Sequence, residues 1–219
     1  MNLPILTYTI LRDFENCSYK FYRKYVVKDV KFKPTPKMEA GTKDHDALME
    51  RCKRGIALPR HLRSADPVCA IFDAVPDTIP VRVEYMMGML VDGSPCQWDN
   101  HAVWLRLKPD ICTWSTAGGW IVDWKTGRVW EDPFELECQA MVLHAHHPEV
   151  PFWQGEYFWT AEGRPGKRYP LDPMAAFSRA ADAWGKMHAY MAAGSWPKTQ
   201  NKLCNWCDVK DCQFNTKQD

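Results

Sequence analysis

Between Ile79 and Gly127 the chain offers three stretches suited to strands and little length with which to join them. "IPVRVEYMMGMLVDG" (79–93), "HAVWLRLKPDICTWS" (101–115) and "GWIVDWKTG" (119–127) are rich in β-branched and aromatic residues. Thr116, Ala117, Gly118 and Gly119 supply a turn before the last. Strands so closely spaced pair antiparallel, because a parallel return needs a crossover of about a dozen residues or more. The spacing therefore predicts an antiparallel meander of three strands. Side chains alternate faces along the third, so Asp123 and Lys125 point together and Trp124 points the other way. A strand otherwise built for burial thus aims a carboxylate and an ammonium into one place.

Helical patterns surround the meander. Residues 8–26 read as two short helices, or one broken near Asn16, Cys17 and Ser18. Pro34 and Pro36 mark a loop, and 36–55 reads as a helix ended by Gly55, with Gly41 and His45 one turn apart. A further short helix is expected around 68–74. Asp132 and Pro133 open a helix over 132–148, which closes before Pro148. Residues 150–163 alternate like another strand, which a preceding helix allows to pair parallel beside the meander. From 172 to 193, Met174, Phe177, Ala181, Trp184, His188 and Met191 recur at helical steps, and Gly194 and Pro197 end the run. The fold class is α/β, with a cysteine-bearing tail.

At 219 residues, 46% hydrophobic and 25% charged, the chain suits one sizeable domain. Its apolar runs are far too short to span a bilayer, and its start lacks the basic opening and small-residue cleavage site of a signal peptide. The expectation is a soluble, cytoplasmic protein with no membrane partner. Net charge is only +1, yet Lys20, Arg23, Lys24, Lys28, Lys31, Lys33 and Lys37 stand against a single acid, Asp29. Such a run is commonly a solvated face. Tyr19, Phe21, Tyr22 and Tyr25, interleaved with it, also suit a phosphate-contacting stripe with stacking groups.

Asp110, in "LKPDICTW", lies on the second strand and comes near Asp123 if the two strands pair through the 115–119 turn. Two carboxylates held together repel unless a cation sits between them. A hard divalent ion such as Mg²⁺ or Mn²⁺ resolves that conflict through oxygen ligands. Lys125, on the same face, could orient a water and neutralise charge developing on a phosphate. A lone D-x-K is most simply an ion pair at a strand end. Its combination with the upstream Pro109-Asp110 is more specific.

This combination resembles the core of the PD-(D/E)XK nuclease superfamily, and the motifs around it resemble its RecB-type members. Gly41 and His45 match a G-x-x-x-H helix whose histidine is a further metal ligand. Gln139 matches a glutamine, on the helix after the D-x-K strand, that helps fix the lysine and substrate. "LRDFENCSYKFYRKYV" matches an N-terminal segment in which a Cys precedes a basic–aromatic patch. The family often has Tyr four residues after the glutamine; here Leu143 stands there. The resemblance implies a restriction-endonuclease-like core over about 36–193 within a single nuclease domain, 1–219. It implies a divalent-metal-dependent deoxyribonuclease, an exonuclease preferring single-stranded DNA ends. Asp110, Asp123 and His45 would bind metal; Lys125 and Gln139 would complete the catalytic set. Lys20, Tyr22, Arg23 and Lys24 are candidate DNA contacts. Helicase, recombination or CRISPR-adaptation proteins are candidate partners, and no Walker-type motif supplies an ATP motor. The competing class is a non-catalytic nucleic-acid-binding module with a structural zinc site, and a further alternative is a nuclease active only within a larger complex.

Nine cysteines, an odd number without a secretory signal, argue against a disulfide framework. Cys52, Cys69, Cys96, Cys112 and Cys138 sit singly in apolar or helical contexts and read as core thiols. "CNWCDVKDC" groups Cys204, Cys207 and Cys212 in the tail. RecB-type families with an iron–sulfur staple place one Cys before the core and three at the end, which makes Cys17 the fourth ligand. A [4Fe–4S] cluster would then join segments around 9–26 and 198–215. A structural Cys₄ zinc site is the alternative, and the residues alone do not choose.

Overall fold

The computed structural model describes residues 2–31 and 34–215, so Lys33 of the basic run lies outside them. The chain divides into two compact units, one formed by 1–33 with 177–219 and the other by 34–176. Together they are mixed α/β. No helix among the described residues is long and apolar enough to cross a membrane.

In the first unit, α1 (Tyr8–Asn16) is capped by Thr7, whose hydroxyl accepts from the Ile10 N–H at 3.3 Å. It stops at Cys17, which is extended at φ −166° and ψ 107°; α2 (Ser18–Phe21) then begins, followed by a π-helical turn over Tyr22–Val27. The expected break thus falls on Cys17. The N- and C-terminal segments share an aromatic cluster in which Trp196 stacks on Tyr22 and meets Phe21 and Tyr190. Ser18 Oγ donates to the Pro197 carbonyl at 2.8 Å, and Asn201 Nδ2 to that of Asn16 at 2.8 Å.

The second unit opens with α3 (Pro36–Arg54), capped by Thr35 and closed by Gly55 in the left-handed region at φ 68°. A 3₁₀ turn (Arg60–Ala65) leads into α4 (Asp66–Asp73). Its main sheet has the order β1-β5-β6-β7-β8: β1 (Val81–Val83), β5 (Ile111–Ser115), β6 (Gly118–Lys125), β7 (Trp153–Trp159) and β8 (Arg164–Leu171). β6 and β7 pair parallel across α5 (Phe134–His146), as the sequence suggests; the other pairs are antiparallel.

The meander differs from expectation in one respect. Each of its first two stretches breaks, giving up its distal half to a second sheet, β3-β2-β4: β2 (Met87–Met89), β3 (Pro95–Cys96) and β4 (Leu105–Leu107). Two residues account for the break. Glu84 has φ 51°, and Pro109 has no N–H with which to continue a ladder. At the kink the Glu84 N–H donates to the Asp110 carbonyl at 2.9 Å. β8 escapes sequence reading because Pro165, Gly166 and Pro170 interrupt it, which an edge strand tolerates.

One face of the main sheet, with Ile111, Val122, Trp124 and Phe158, packs against Leu48 of α3 and Cys69 and Phe72 of α4. α5 covers the other face, where Leu136 lies over Gly155. At the β5–β6 turn only glycine fits position 119: an added Cβ would lie 2.2 Å from the Trp153 ring. α6 (Pro173–Ala193) is the expected helix with a shifted face. Ala176, Ala180, Ala183 and Met187 are its buried stripe, while Met174 and His188 are exposed. Alanines allow a close approach, so three of the four inward positions are small, with Met187 the one large residue among them.

Candidate functional site

The β5–β6 register pairs Ile111 with Val122, so Asp110, one residue earlier, comes opposite Asp123. Asp110 Oδ2 accepts from the Trp124 backbone N–H at 2.8 Å, fixing the carboxylate where the chain kinks into β5. His45 Nδ1 lies 3.5 Å from the same oxygen. Gly41 makes that approach possible, since a Cβ there would stand 2.7 Å from Thr126 Oγ1, directly after Lys125. Asp123 is buried; its Oδ1 accepts from Gln139 Nε2 at 2.8 Å, and its Oδ2 lies 2.5 Å from Lys125 Nζ. The five residues expected from the sequence therefore meet at one end of the sheet.

A sixth was not expected. Lys125 Nζ donates to Glu135 Oε2 at 2.7 Å. Glu135 stands in the first turn of α5, four residues before Gln139, so one helix face presents both groups. That i, i+4 spacing is the sequence signal that could have found it.

Three carboxylates, Asp110, Asp123 and Glu135, thus face one ammonium and one imidazole. Burial pushes the Asp123 pKa upward, and the Asp110 charge adds to it against the pull of Lys125. Burial, then the charge of Asp123, pushes Glu135 up to about 7. Burial alone would lower Lys125, but Asp123 and Glu135 outweigh it and hold the ammonium charged. The hydrogen bond to Asp110 raises His45 against its own burial. Gln139 Oε1 is buried and accepts no hydrogen bond among the described residues, and Asp123 Oδ2 has only its ionic contact with Lys125. Such a cluster has oxygen donors and negative charge to offer a hard cation. As the side chains stand, no three His, Cys, Asp or Glu among the described residues are spaced to hold a metal ion.

In the first unit, Cys17, Cys204, Cys207 and Cys212 line one small cavity of about 30 Å³. Burial raises the Cys207 thiol, and Cys17 and Cys212 are close enough to raise it further. The Asn201 N–H points at Cys204 Sγ at 3.3 Å, a donor suited to a thiolate. The other five cysteines lie in the second unit. Cys69, Cys112 and Cys138 are fully buried, and Cys52 Sγ approaches Cys69 Sγ at 3.5 Å.

The basic–aromatic residues are largely engaged within their own unit. Arg23 holds Asp29 and Asp211, both at 2.8 Å; Lys24 holds Asp13 at 2.7 Å; Tyr22 stacks on Trp196; and Lys20 lines the cysteine cavity.

No family model and no curated protein matches this chain. A solved structure described as "Crystal structure of SSO0001" aligns over 95% of this chain and 85% of that one, at 10% identity and a TM-score of 0.39. A likeness that slight carries no weight here.

Proposed function

We propose that this chain is a divalent-metal-dependent deoxyribonuclease with a restriction-endonuclease-like core, acting as an exonuclease on single-stranded DNA ends. One observation carries the reading: Asp110, Asp123 and Lys125 converge with His45 and Gln139 at the end of one sheet. An Asp–Lys pair alone would be an ordinary ion pair. Two opposed carboxylates with a lysine, a histidine and a buried amide around them form a charge-dense cluster that needs a function.

The donor set fits a hard ion, with Asp110 and Asp123 as carboxylate ligands and His45 as a further one. Mg²⁺ or Mn²⁺ bound there would supply a more acidic water and neutralise charge on the phosphate. Gln139 holds the Asp123 carboxylate in one orientation through its N–H. Lys125 orients the attacking water and stabilises charge on the phosphate oxygens through Nζ. As the water oxygen bonds to phosphorus it gives up a proton to solvent, the bond to the departing oxygen breaks, and that oxygen takes up a proton from solvent.

The cysteine cavity would hold a [4Fe–4S] cluster, or zinc, on Cys17, Cys204, Cys207 and Cys212, joining the N- and C-terminal segments. The cell compartment proposed is the cytoplasm of a bacterial or phage-infected cell, with recombination or adaptation proteins as candidate partners. The test uses protein purified without oxygen, end-labelled single- and double-stranded DNA, and Mg²⁺ or Mn²⁺. Asp110→Ala and Lys125→Ala should each lower cleavage by about a hundredfold or more. Undiminished cleavage by either variant overturns the assignment. Iron, sulfide and zinc analysis of the same protein separates the two cysteine readings.

A further inference from the structure

Lys125 is shared between two carboxylates, Asp123 Oδ2 at 2.5 Å and Glu135 Oε2 at 2.7 Å. Only Asp123 belongs to the ligand set read above. A divalent ion taken up by Asp110 and Asp123 therefore meets a cation already seated on one of its ligands, and two cations on one carboxylate repel. Glu135 offers the ammonium a second place that needs no travel. That place is fixed by α5, whose next turn carries Gln139 and holds the opposite oxygen of Asp123. One helix face thus secures the carboxylate that would keep the metal and the carboxylate that would keep the lysine.

We propose that Glu135 is the positioning residue for Lys125: when a divalent cation binds Asp110 and Asp123, the ammonium leaves Asp123 and is retained by Glu135 within the site. Its use in catalysis rests on the nuclease reading; the cation exchange itself requires only metal uptake.

The test is a double-mutant cycle read by Mn²⁺ calorimetry on the full chain, with Lys125→Met, Glu135→Gln and the combined variant. Lys125→Met removes the competing cation and should bind Mn²⁺ about tenfold more tightly than wild type. Glu135→Gln leaves the lysine with no second seat and should bind about tenfold more weakly. In the Lys125→Met background the same Glu135→Gln change should alter affinity by less than about twofold. An equal loss in both backgrounds means that Glu135 acts on the ion itself and overturns the proposal. So does an unchanged affinity in Lys125→Met. Glu135→Asp, one methylene shorter, is the second variant should the amide fail to fold, and should show a smaller loss of the same kind.

Cleavage of end-labelled single strands at saturating Mn²⁺ adds an independent readout: Glu135→Gln should lower kcat and leave KM for DNA in place. A wild-type protein whose Mn²⁺ binding follows the cycle but which cuts no DNA overturns the nuclease reading alone. One that cuts DNA without coupling between Lys125 and Glu135 overturns the exchange alone. A protein that binds no Mn²⁺ overturns both.

Discussion

Replacing Glu135 by Gln should flatten the fall in stability expected of the metal-free protein as pH rises. Glu135 is pushed up to about 7 in the folded state from an ordinary value of 4.5, first by burial and then by the charge of Asp123. A raised acid binds more protons folded than unfolded between those two values, so stability drops as pH climbs through that window. The gap of about 2.5 pH units, at about 1.36 kcal/mol each, makes the loss about 3 kcal/mol once the group is ionised. That is an upper value, because Asp123 is raised by the same burial and shares the cluster's charge. The amide keeps the shape of the side chain and an oxygen for Lys125, and leaves Asp123 as the lysine's charged partner. Glu135→Gln should therefore match wild type near pH 5 and exceed it by about 1–3 kcal/mol near pH 8. Urea unfolding at several pH values, without divalent metal, measures both proteins side by side. Parallel pH–stability curves would refute the reasoning, since they would mean that Glu135 is not carrying a buried charge.

Cys207→Ser should cost the protein the metal proposed for the cysteine cavity and its folded first unit, because residues 13–20 and 199–215 both wall that cavity. A stable Cys207→Ser protein, fully active and free of metal, sinks that claim. Gly41→Ala should separate stability from activity. Alanine in a helix gains up to about 1 kcal/mol over glycine, but its Cβ would meet Thr126 Oγ1 at 2.7 Å and press on the loop behind Lys125. Melting should stay within a few degrees of wild type while DNA cleavage falls several-fold; unchanged cleavage means that the approach of α3 does not matter.

The features legible in the sequence are those whose cause lies within a few residues. Gly55 ends one helix by capping chemistry, and Asn16-Cys17-Ser18 interrupts one. The alternation along β6 put Asp123 and Lys125 opposite Trp124, and Trp124 does pack into the α3–α4 side of the core. Illegible features depend on what a distant segment does. Whether 79–93 is one strand or two turns on the positive φ at Glu84 and its pairing with Asp110. The buried stripe of α6 depends on packing distances, which favour Ala180 and Ala183 over the larger residues that periodicity alone selects.

The sequence by itself determined which chemical groups are present and which face of its own element each occupies, because strand alternation and helical periodicity are local geometry. It also bounded how far Cys204, Cys207 and Cys212 can part, since eight residues of chain span at most about 28 Å. Only the tertiary structure decided distances. It brought His45 to 3.5 Å from Asp110, and seated Lys125 between Asp123 and Glu135. It also placed Cys17 in one cavity with a tail nearly two hundred residues away. Register, bending and helix approach are set by packing over the whole unit, and no short window of sequence contains that information.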